Sequence, residues 1–388
     1  MLNNNLLFVS ENLMNESHTS ESLDILSKRY NIAGKIDLSS FYFQHGFNGC
    51  FLEISKLISK NNISLIILAV GASRLIDPDK IEEWRKSFPE IIICCAFSDA
   101  EVLFTRNDFY YAQHADFCWS FNPAMKSVFE MYDIPIVIGQ LFDYKLYRKN
   151  RTNNQDIKIS FIGGIVRSNR SFFIEYLKKK EPDFYIAGYG TNKGIITRDE
   201  KNIVISRSLL HLSFSGVHDN ELERNKRLRG FKGRYIEALL AGSLPFCQWD
   251  PTLVDLFGPN VPFFNTPEEL LENYKKLVFN PEKIKQIRKS MLNFYMKKYS
   301  NKKILLKIKN FKKQSPSKIT CYLDKEFLEL FNKQRFYFFG YFIVRLRLFM
   351  AFDELKGIKK SLYLVSLFNY LYEIVRGSYH GLNIKKYI

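Results

Sequence analysis

The residues best suited to chemistry in this chain lie in one stretch, Arg229–Asp250, which reads RGFKGRYIEALLAGSLPFCQWD. Glycines and basic residues lead into a short helical pattern that stops at Gly242, ahead of the strand-like Leu244–Gln248. A helix start flanked by Lys232 and Arg234 is a ready anion site, because the cations add to the partial positive charge of the helix's unpaired N–H groups. Glu237, one turn into that helix, is placed to accept hydrogen bonds from sugar hydroxyls beside a bound phosphate. The group therefore suits the ribose and diphosphate of a nucleotide. The same residues fit a plainer arrangement equally well, in which the cations solvate a loop and Glu237 makes a local ion pair.

Two further clusters touch the same theme. Gly188-Tyr189-Gly190-Thr191 follows a strand pattern, and its glycines predict a turn with positive φ that could also border a donor pocket. Ser213-Phe214-Ser215-Gly216 ends another strand, where the Ser215 hydroxyl is a candidate nucleotide contact. No strand is followed by a full G-x-G-x-x-G, which argues against a dinucleotide-binding enzyme.

The elements that must position these residues alternate. Leu6–Ser10, Ile63–Val70, Ile91–Phe97 and Ile134–Ile138 are apolar runs separated by the amphipathic segments Ser20–Arg29, Gly49–Lys60 and Pro123–Tyr132, as expected of βα units on a parallel sheet. The polar stretch 149–156, KNRTNNQD, reads as a linker between a domain over 1–150 and another over 151–300. The alternation then resumes: strand Ile157–Ile162, helix Ser171–Lys180, strands Phe184–Ala187 and Leu209–Phe214, helix Lys232–Ala241 and strand Leu244–Gln248. Pro267–Lys276 opens with proline and acids and closes on lysines, which suits a helix dipole, and a further helix is expected over Pro281–Lys298. Two Rossmann-like domains in tandem result.

Composition sets the bounds. With 388 residues, 46% of them hydrophobic and 25% charged, the chain can build two cores and is not disordered. Its net charge of +17 is unevenly spread: residues 1–150 sum to −4, 151–299 to +9 and 300–388 to +12. That asymmetry calls for an anionic partner. The six cysteines show no metal-ligand spacing and no disulfide framework, and MLNNNLLFVSENL lacks the basic start and cleavage site of a signal peptide, so a cytoplasmic location is expected.

The run Tyr235-Ile236-Glu237-Ala238-Leu239-Leu240-Ala241-Gly242-Ser243-Leu244-Pro245 resembles the E-A-hydrophobic-A-x-G segment of GT-B glycosyltransferases, especially the group 1 branch that includes the spore-maturation, CgeB-like proteins. Asp250–Leu256 and Thr266–Leu277 look like that family's following helices, and Lys158–Gly164 with Arg170 looks like the opening strand, glycine turn and arginine of its nucleotide-sugar domain. In the first domain Phe97-Ser98-Asp99 and Ala115–Phe121 resemble the acidic strand end and a later strand of the acceptor domain. The resemblance covers roughly residues 1–300. It implies an α/β fold of two facing Rossmann-like domains, the first on the acceptor side and the second binding the nucleotide sugar. It implies no cofactor and no obligatory metal. By the same resemblance Glu237 takes the ribose hydroxyls, Arg170, Lys232 and Arg234 neutralise the departing diphosphate, and Gly163 and Gly164 let the backbone approach it.

One position departs from the pattern. Many retaining relatives carry a second glutamate eight residues before the ribose glutamate, and here Arg229 stands there, which leaves the stereochemical course open. An inverting reaction needs a general base near the acceptor hydroxyl, and the first domain offers Asp99, His114 and Asp116. Asp99 is preferred because it would follow a strand at the carboxyl edge of the sheet, although it would serve equally as a helix N-cap.

The last part, 301–388, is basic and aromatic-rich and is expected to be helical. Phe336–Phe352 holds 17 residues interrupted by Arg345 and Arg347, short of the roughly 20 that span a bilayer. With seven lysines in Lys302–Lys318, the extension either lies on an anionic membrane surface as a peripheral anchor or packs as a helical subdomain. The function expected is transfer of a hexosyl group from a nucleotide-sugar donor to a glycan or lipid-linked acceptor in bacterial surface polysaccharide synthesis, lipopolysaccharide included. The competing expectation is a non-catalytic protein binding nucleic acid or another polyanion through Arg224–Arg234, where six of eleven residues are basic. No nucleic-acid-binding motif accompanies it, so nucleic acid is not the favoured partner.

Overall fold

The computed structural model describes residues 4–10, 17–69, 76, 78–98, 108–152, 154–165, 170–215 and 231–311. Asp99, Gly216, Arg229 and most of the extension, 312–388, lie outside the described residues.

Apolar runs of four to six residues form the centres of two parallel sheets. In the first, β1 (Asn5–Ser10), β2 (Asn31–Asp37), β3 (Leu65–Ala69), β4 (Ile92–Phe97), β5 (Phe117–Ser120) and β6 (Ile136–Ile138) lie in the order β2-β1-β3-β4-β5-β6. Leu6–Val9, Leu65–Leu68 and Ile93–Phe97 are buried, as unbroken apolar strands must be when helices cover both faces of a sheet. The helices are α1 (Ser17–Leu26), α2 (Leu38–Lys60), α3 (Pro78–Ser87), α4 (Phe109–His114) and α5 (Met125–Glu130). Helix α2 starts at Leu38, well ahead of the expected Gly49, because burial of Ile54 and Ile58 anchors a helix that absorbs Gly46 and Gly49 at roughly 1 kcal/mol each. Strand β2 escapes the apolar-run criterion because it is a polar edge strand with only Ile36 buried.

The second sheet contains β7 (Ile157–Ile162), β8 (Tyr185–Ala187), β9 (Ser208–Ser213), β10 (Leu244–Gln248) and β11 (Phe263–Phe264), in the order β11-β10-β9-β7-β8. Its helices are α6 (Tyr144–Lys149), α7 (Arg170–Lys180), α8 (Arg198–Arg207), α9 (Arg234–Ala241), α10 (Thr252–Phe257), α11 (Pro267–Val278) and α12 (Pro281–Tyr299); α13 (Asn301–Asn310) follows, and its residues from Leu305 group with the first sheet. Phe161, Phe173, Phe214, Phe246 and Phe264 pack edge-on or tilted in its core. Counted within each sheet, both run 2-1-3-4-5, the second ending there and the first adding a sixth strand.

The chain divides into two compact units, one of Met1–Ser120, Lys126–Val137 and the residues from Leu305, the other of Phe121–Met125 and Ile138–Ile304. The polar stretch 149–156 joins α6 to β7. Helix α13 buries Ile304, Leu305 and Ile308, and Phe311 stacks on Phe117 with centroids 4.3 Å apart. The first turns of the basic extension thus lay their apolar stripe against protein. Among the described residues no helix is long and apolar enough to cross a membrane.

Candidate functional site

In an open parallel sheet the strand order reverses beside the first strand, and connections leave the two flanking strands on opposite faces, opening a crevice at their carboxyl ends. In the first unit that point lies between β1 and β3, and the segments that follow both strands are outside the described residues. In the second it lies between β7 and β9. Gly163 and Gly164 follow β7 there, and Phe214 and Ser215 follow β9.

Two loops meet at this edge. The Gly163 N–H donates to the Ala187 carbonyl at 2.9 Å and the Ile165 N–H to the Tyr189 carbonyl at 3.0 Å, so the pairing of β7 with β8 continues beyond the strands. The loop after β8 closes on itself: the Gly188 N–H donates to Gly194 O at 2.7 Å, and the Thr191 hydroxyl donates to Gly188 O at 2.8 Å. Gly188, Gly190 and Gly194 hold φ of +129°, +83° and +65°, the positive-φ turn expected of these glycines. A Cβ on Gly188 would run into the Gly163 carbonyl, 2.6 Å from its carbon.

Two arginines converge on the same glycines. A Cβ on Gly163 would lie 2.5 Å from Arg234 Nη1, so the otherwise exposed guanidinium lies across that residue. Arg170 Nη1 donates to the Gly164 carbonyl at 3.4 Å. Each arginine is the first residue of its helix, α7 or α9, where the helix dipole disfavours a cation by about 0.3–1 kcal/mol. Helix α7 has no acidic residue in its first turn to offset this. In α9 the Glu237 carboxylate accepts from Lys201 Nζ on α8 at 2.9 Å. An added anion at Gly163–Gly164 would relieve both unfavourable placements. Lys232, half-buried just ahead of α9, gives its carbonyl to the Tyr235 N–H at 3.0 Å.

Glu237 is 1% exposed and makes an ion pair, with Lys201 of α8 rather than with a residue local in sequence. It belongs to a buried polar cluster with Lys201 and His211. Burial first, and then the Arg234 charge, push His211 down to about 3, so its ring is neutral, and its Nδ1 pairs with Ser160 Oγ at 2.9 Å. Burial chiefly, with the Glu237 charge second, raises the Tyr147 hydroxyl far above its ordinary value. Ser215 is fully buried and its hydroxyl donates inward to the Trp249 carbonyl at 2.9 Å.

Helix α9 is held from its far end. All of Tyr235–Ala241 is buried, with Ala238 and Ala241 allowing close packing, and Gly242 terminates it at φ +103°. The last carbonyls there accept from cations, as the dipole favours: Arg151 Nε donates to Leu240 O at 2.9 Å, and Arg288 donates to Gly242 O, which also accepts from Gln155 Nε2 at 2.9 Å. Arg151 and Gln155, expected only as linker residues, thus fix the helix that carries Arg234. At its start, Gly233 lies against the Gln140 amide, with a Cβ there 2.8 Å from Gln140 Oε1.

In the first unit Asp116 is a strand-start latch. It sits at the amino edge of the sheet, 0% exposed, accepting from the Ile93 N–H at 2.8 Å and from Arg85 Nη2 at 3.0 Å. His114 ends α4, with its Nδ1 3.8 Å from Glu82. Among the described residues no three His, Cys, Asp or Glu side chains gather as metal ligands.

The structure therefore brings Gly163, Gly164, Arg170, Arg234 and the Gly190 loop to one edge, turns Ser215 inward, and buries Glu237 in an ion pair. Sequence reasoning missed Lys201, His211 and Gln140. The Thr197-x-x-Glu200 capping box was a legible start signal for α8, which carries Lys201.

Residues 167–310 match a family model described as Glycosyl transferase-like. No curated protein matches the chain. S. aureus TarM, solved as a mutant in complex with fondaparinux, alpha-GlcNAc-glycerol and UDP, is similar at 16% identity over 69% of this chain and 58% of that one, with a TM-score of 0.47. A Glycosylation Associate Protein complex from Streptococcus agalactiae is similar at 12% identity over 67% and 58%, TM-score 0.40. An alpha1,3-fucosyltransferase is similar at 15% identity over 80% and 90%, TM-score 0.42. The chain thus spans 58% of the length of the first two.

Proposed function

We propose that the chain is a GT-B glycosyltransferase that moves a hexosyl group from a nucleotide-sugar donor to a glycan or lipid-linked acceptor, without a metal, in assembly of a bacterial surface polysaccharide. The observation that carries the reading is the convergence of Arg170 and Arg234, each heading a helix against its dipole, on Gly163–Gly164 at the switch point of the second sheet. The family match over 167–310, which takes in Arg170, Lys232, Arg234 and Glu237, supports the reaction class.

In this reading the acceptor hydroxyl attacks the anomeric carbon while the bond from that carbon to the diphosphate oxygen breaks, and the electron pair leaves on the diphosphate. Fixed cations lower the barrier because they are already oriented toward the charge that develops. Arg170, Arg234 and Lys232 supply them, and Gly163 and Gly164 admit the phosphate close to backbone. Glu237 is the proposed ribose contact once its ion pair with Lys201 opens, Ser215 sits behind the pocket with its hydroxyl on the Trp249 carbonyl, the Gly190 loop borders the pocket, and Asp99 is the proposed base that takes the acceptor proton. The extension over 301–388 is the proposed contact with an anionic membrane surface on its cytoplasmic side.

The test is a thermal-shift panel of UDP-, GDP-, CMP- and dTDP-sugars with NAD and a short oligonucleotide, followed by turnover of the stabilising donor. One sugar nucleotide is expected to stabilise the protein, and Arg234→Ala should lower turnover by about 100-fold with the fold retained, the scale for removing one fixed stabiliser of developing charge. Stabilisation by the oligonucleotide alone, lost in salt, would replace this reading with polyanion binding.

A further inference from the structure

We infer that Tyr189 stacks on the nucleobase of the bound nucleoside diphosphate, an inference that rests on the donor reading above. Tyr189 is 66% exposed, a large aromatic ring held in water at the carboxyl edge of β8. Its loop is tied down: hydrogen bonds from Gly188 to Gly194, from Thr191 to Gly188 and from Gly194 to Thr191 close the turn, and the Tyr189 carbonyl accepts from Ile165 at 3.0 Å. Every one of these bonds is made by backbone or by Thr191, so the turn is built without any use of the phenol ring.

Placement supplies the ligand class. A Cβ on Gly164 would lie 3.8 Å from Tyr189 Cβ, while Gly163 beside it carries the Arg234 guanidinium and the Gly164 carbonyl carries Arg170. The side chain therefore begins beside the cationic glycine turn, which puts its ring within one side-chain length of it. An anion joined to a flat π-system through a short spacer matches that arrangement, and a nucleoside diphosphate has that shape. Aromatic stacking tolerates any base, so it gives affinity without choosing the nucleotide.

Calorimetric titration of the full chain with UDP, GDP, CDP, dTDP and inorganic pyrophosphate separates the terms. The intact protein should bind at least one nucleoside diphosphate more tightly than pyrophosphate. Tyr189→Ala should weaken that nucleotide by about 10- to 100-fold, the range for loss of one stacked base, and leave pyrophosphate unchanged, while Tyr189→Phe restores binding. Full nucleotide affinity in Tyr189→Ala overturns the stacking role and leaves the donor reading standing. Equal weakening of pyrophosphate overturns it too, since the ring would then be shaping the turn. If no nucleoside diphosphate binds the intact protein better than pyrophosphate, the donor reading and the stacking role fall together.

Discussion

Replacing Gly188 by alanine tests whether the two glycine loops are built to touch. Its φ of +129° lies where essentially only glycine is found, and forcing another residue there costs on the order of 1–3 kcal/mol. The added methyl would also collide with the Gly163 carbonyl and lie 2.9 Å from the Gly163 nitrogen, both of them backbone atoms that no rotamer change can move. Separating the loops strains the bond from Gly163 to Ala187 and the one from Gly188 to Gly194, at roughly 1 kcal/mol each. The sum is about 3–5 kcal/mol, or a fall of about 10 °C in the unfolding midpoint for a unit of this size. Gly194→Ala is the control: its φ is +65° with nothing within 4 Å of the new methyl, so it should lose only the left-handed penalty of about 1–2 kcal/mol. Scanning calorimetry measures both. Equal losses in the two variants would refute the claim that close approach of Gly188 to Gly163, rather than backbone conformation alone, demands glycine there.

Two further expectations concern buried titratable groups, Asp116 and His211. Asp116→Ala should destabilise the first unit by about 3–5 kcal/mol, because it removes a buried carboxylate that pairs with Arg85 and accepts from the Ile93 N–H; a loss below about 1 kcal/mol in urea unfolding would show that the latch carries no weight. His211 is neutral in the fold down to about pH 3, whereas in the unfolded chain it takes a proton below about 6.5, so between those values falling pH favours unfolding by about 1.4 kcal/mol per unit through this residue. Stability measured from pH 7 to 4 should therefore fall less steeply in His211→Gln than in the natural chain, and parallel curves would contradict a buried neutral imidazole.

The α/β class and most strands of both sheets were legible because parallel strands covered on both faces are largely apolar, and Leu6–Ser10 or Ile91–Phe97 can be little else. Strand β2 was not, since an edge strand needs no such run. Arg170, Gly163 and Gly164 were legible as a turn followed by a cation, and the structure brings them together with Arg234. Glu237 was ambiguous for a physical reason: a carboxylate on a buried helix face needs a cation, and nothing near it in sequence names Lys201, which is 36 residues away on α8. Tyr189 drew no notice because an aromatic residue between glycines looks the same whether it packs inward or stands in water.

Local rules are kept almost everywhere in the second unit, which makes their breach informative. Helix α8 opens with a reciprocal Thr197–Glu200 capping box, α11 begins with proline and two glutamates and ends on two lysines, and α12 has Asn280 as its N-cap. Helix α9 even has arginines at its carbonyl end, as its dipole asks. Against that background Arg170 and Arg234 stand at the wrong ends of their helices, three glycines take positive φ within seven residues, and a tyrosine ring is left in solvent. All of these fall at one edge of one sheet, on either side of Gly163 and Gly164. Unfavourable placements scattered over the unit would be tolerated imperfection, but gathered at the switch point they share one remedy. A ligand bearing negative charge and a flat ring would offset the arginines' unfavourable helix placements and cover the tyrosine.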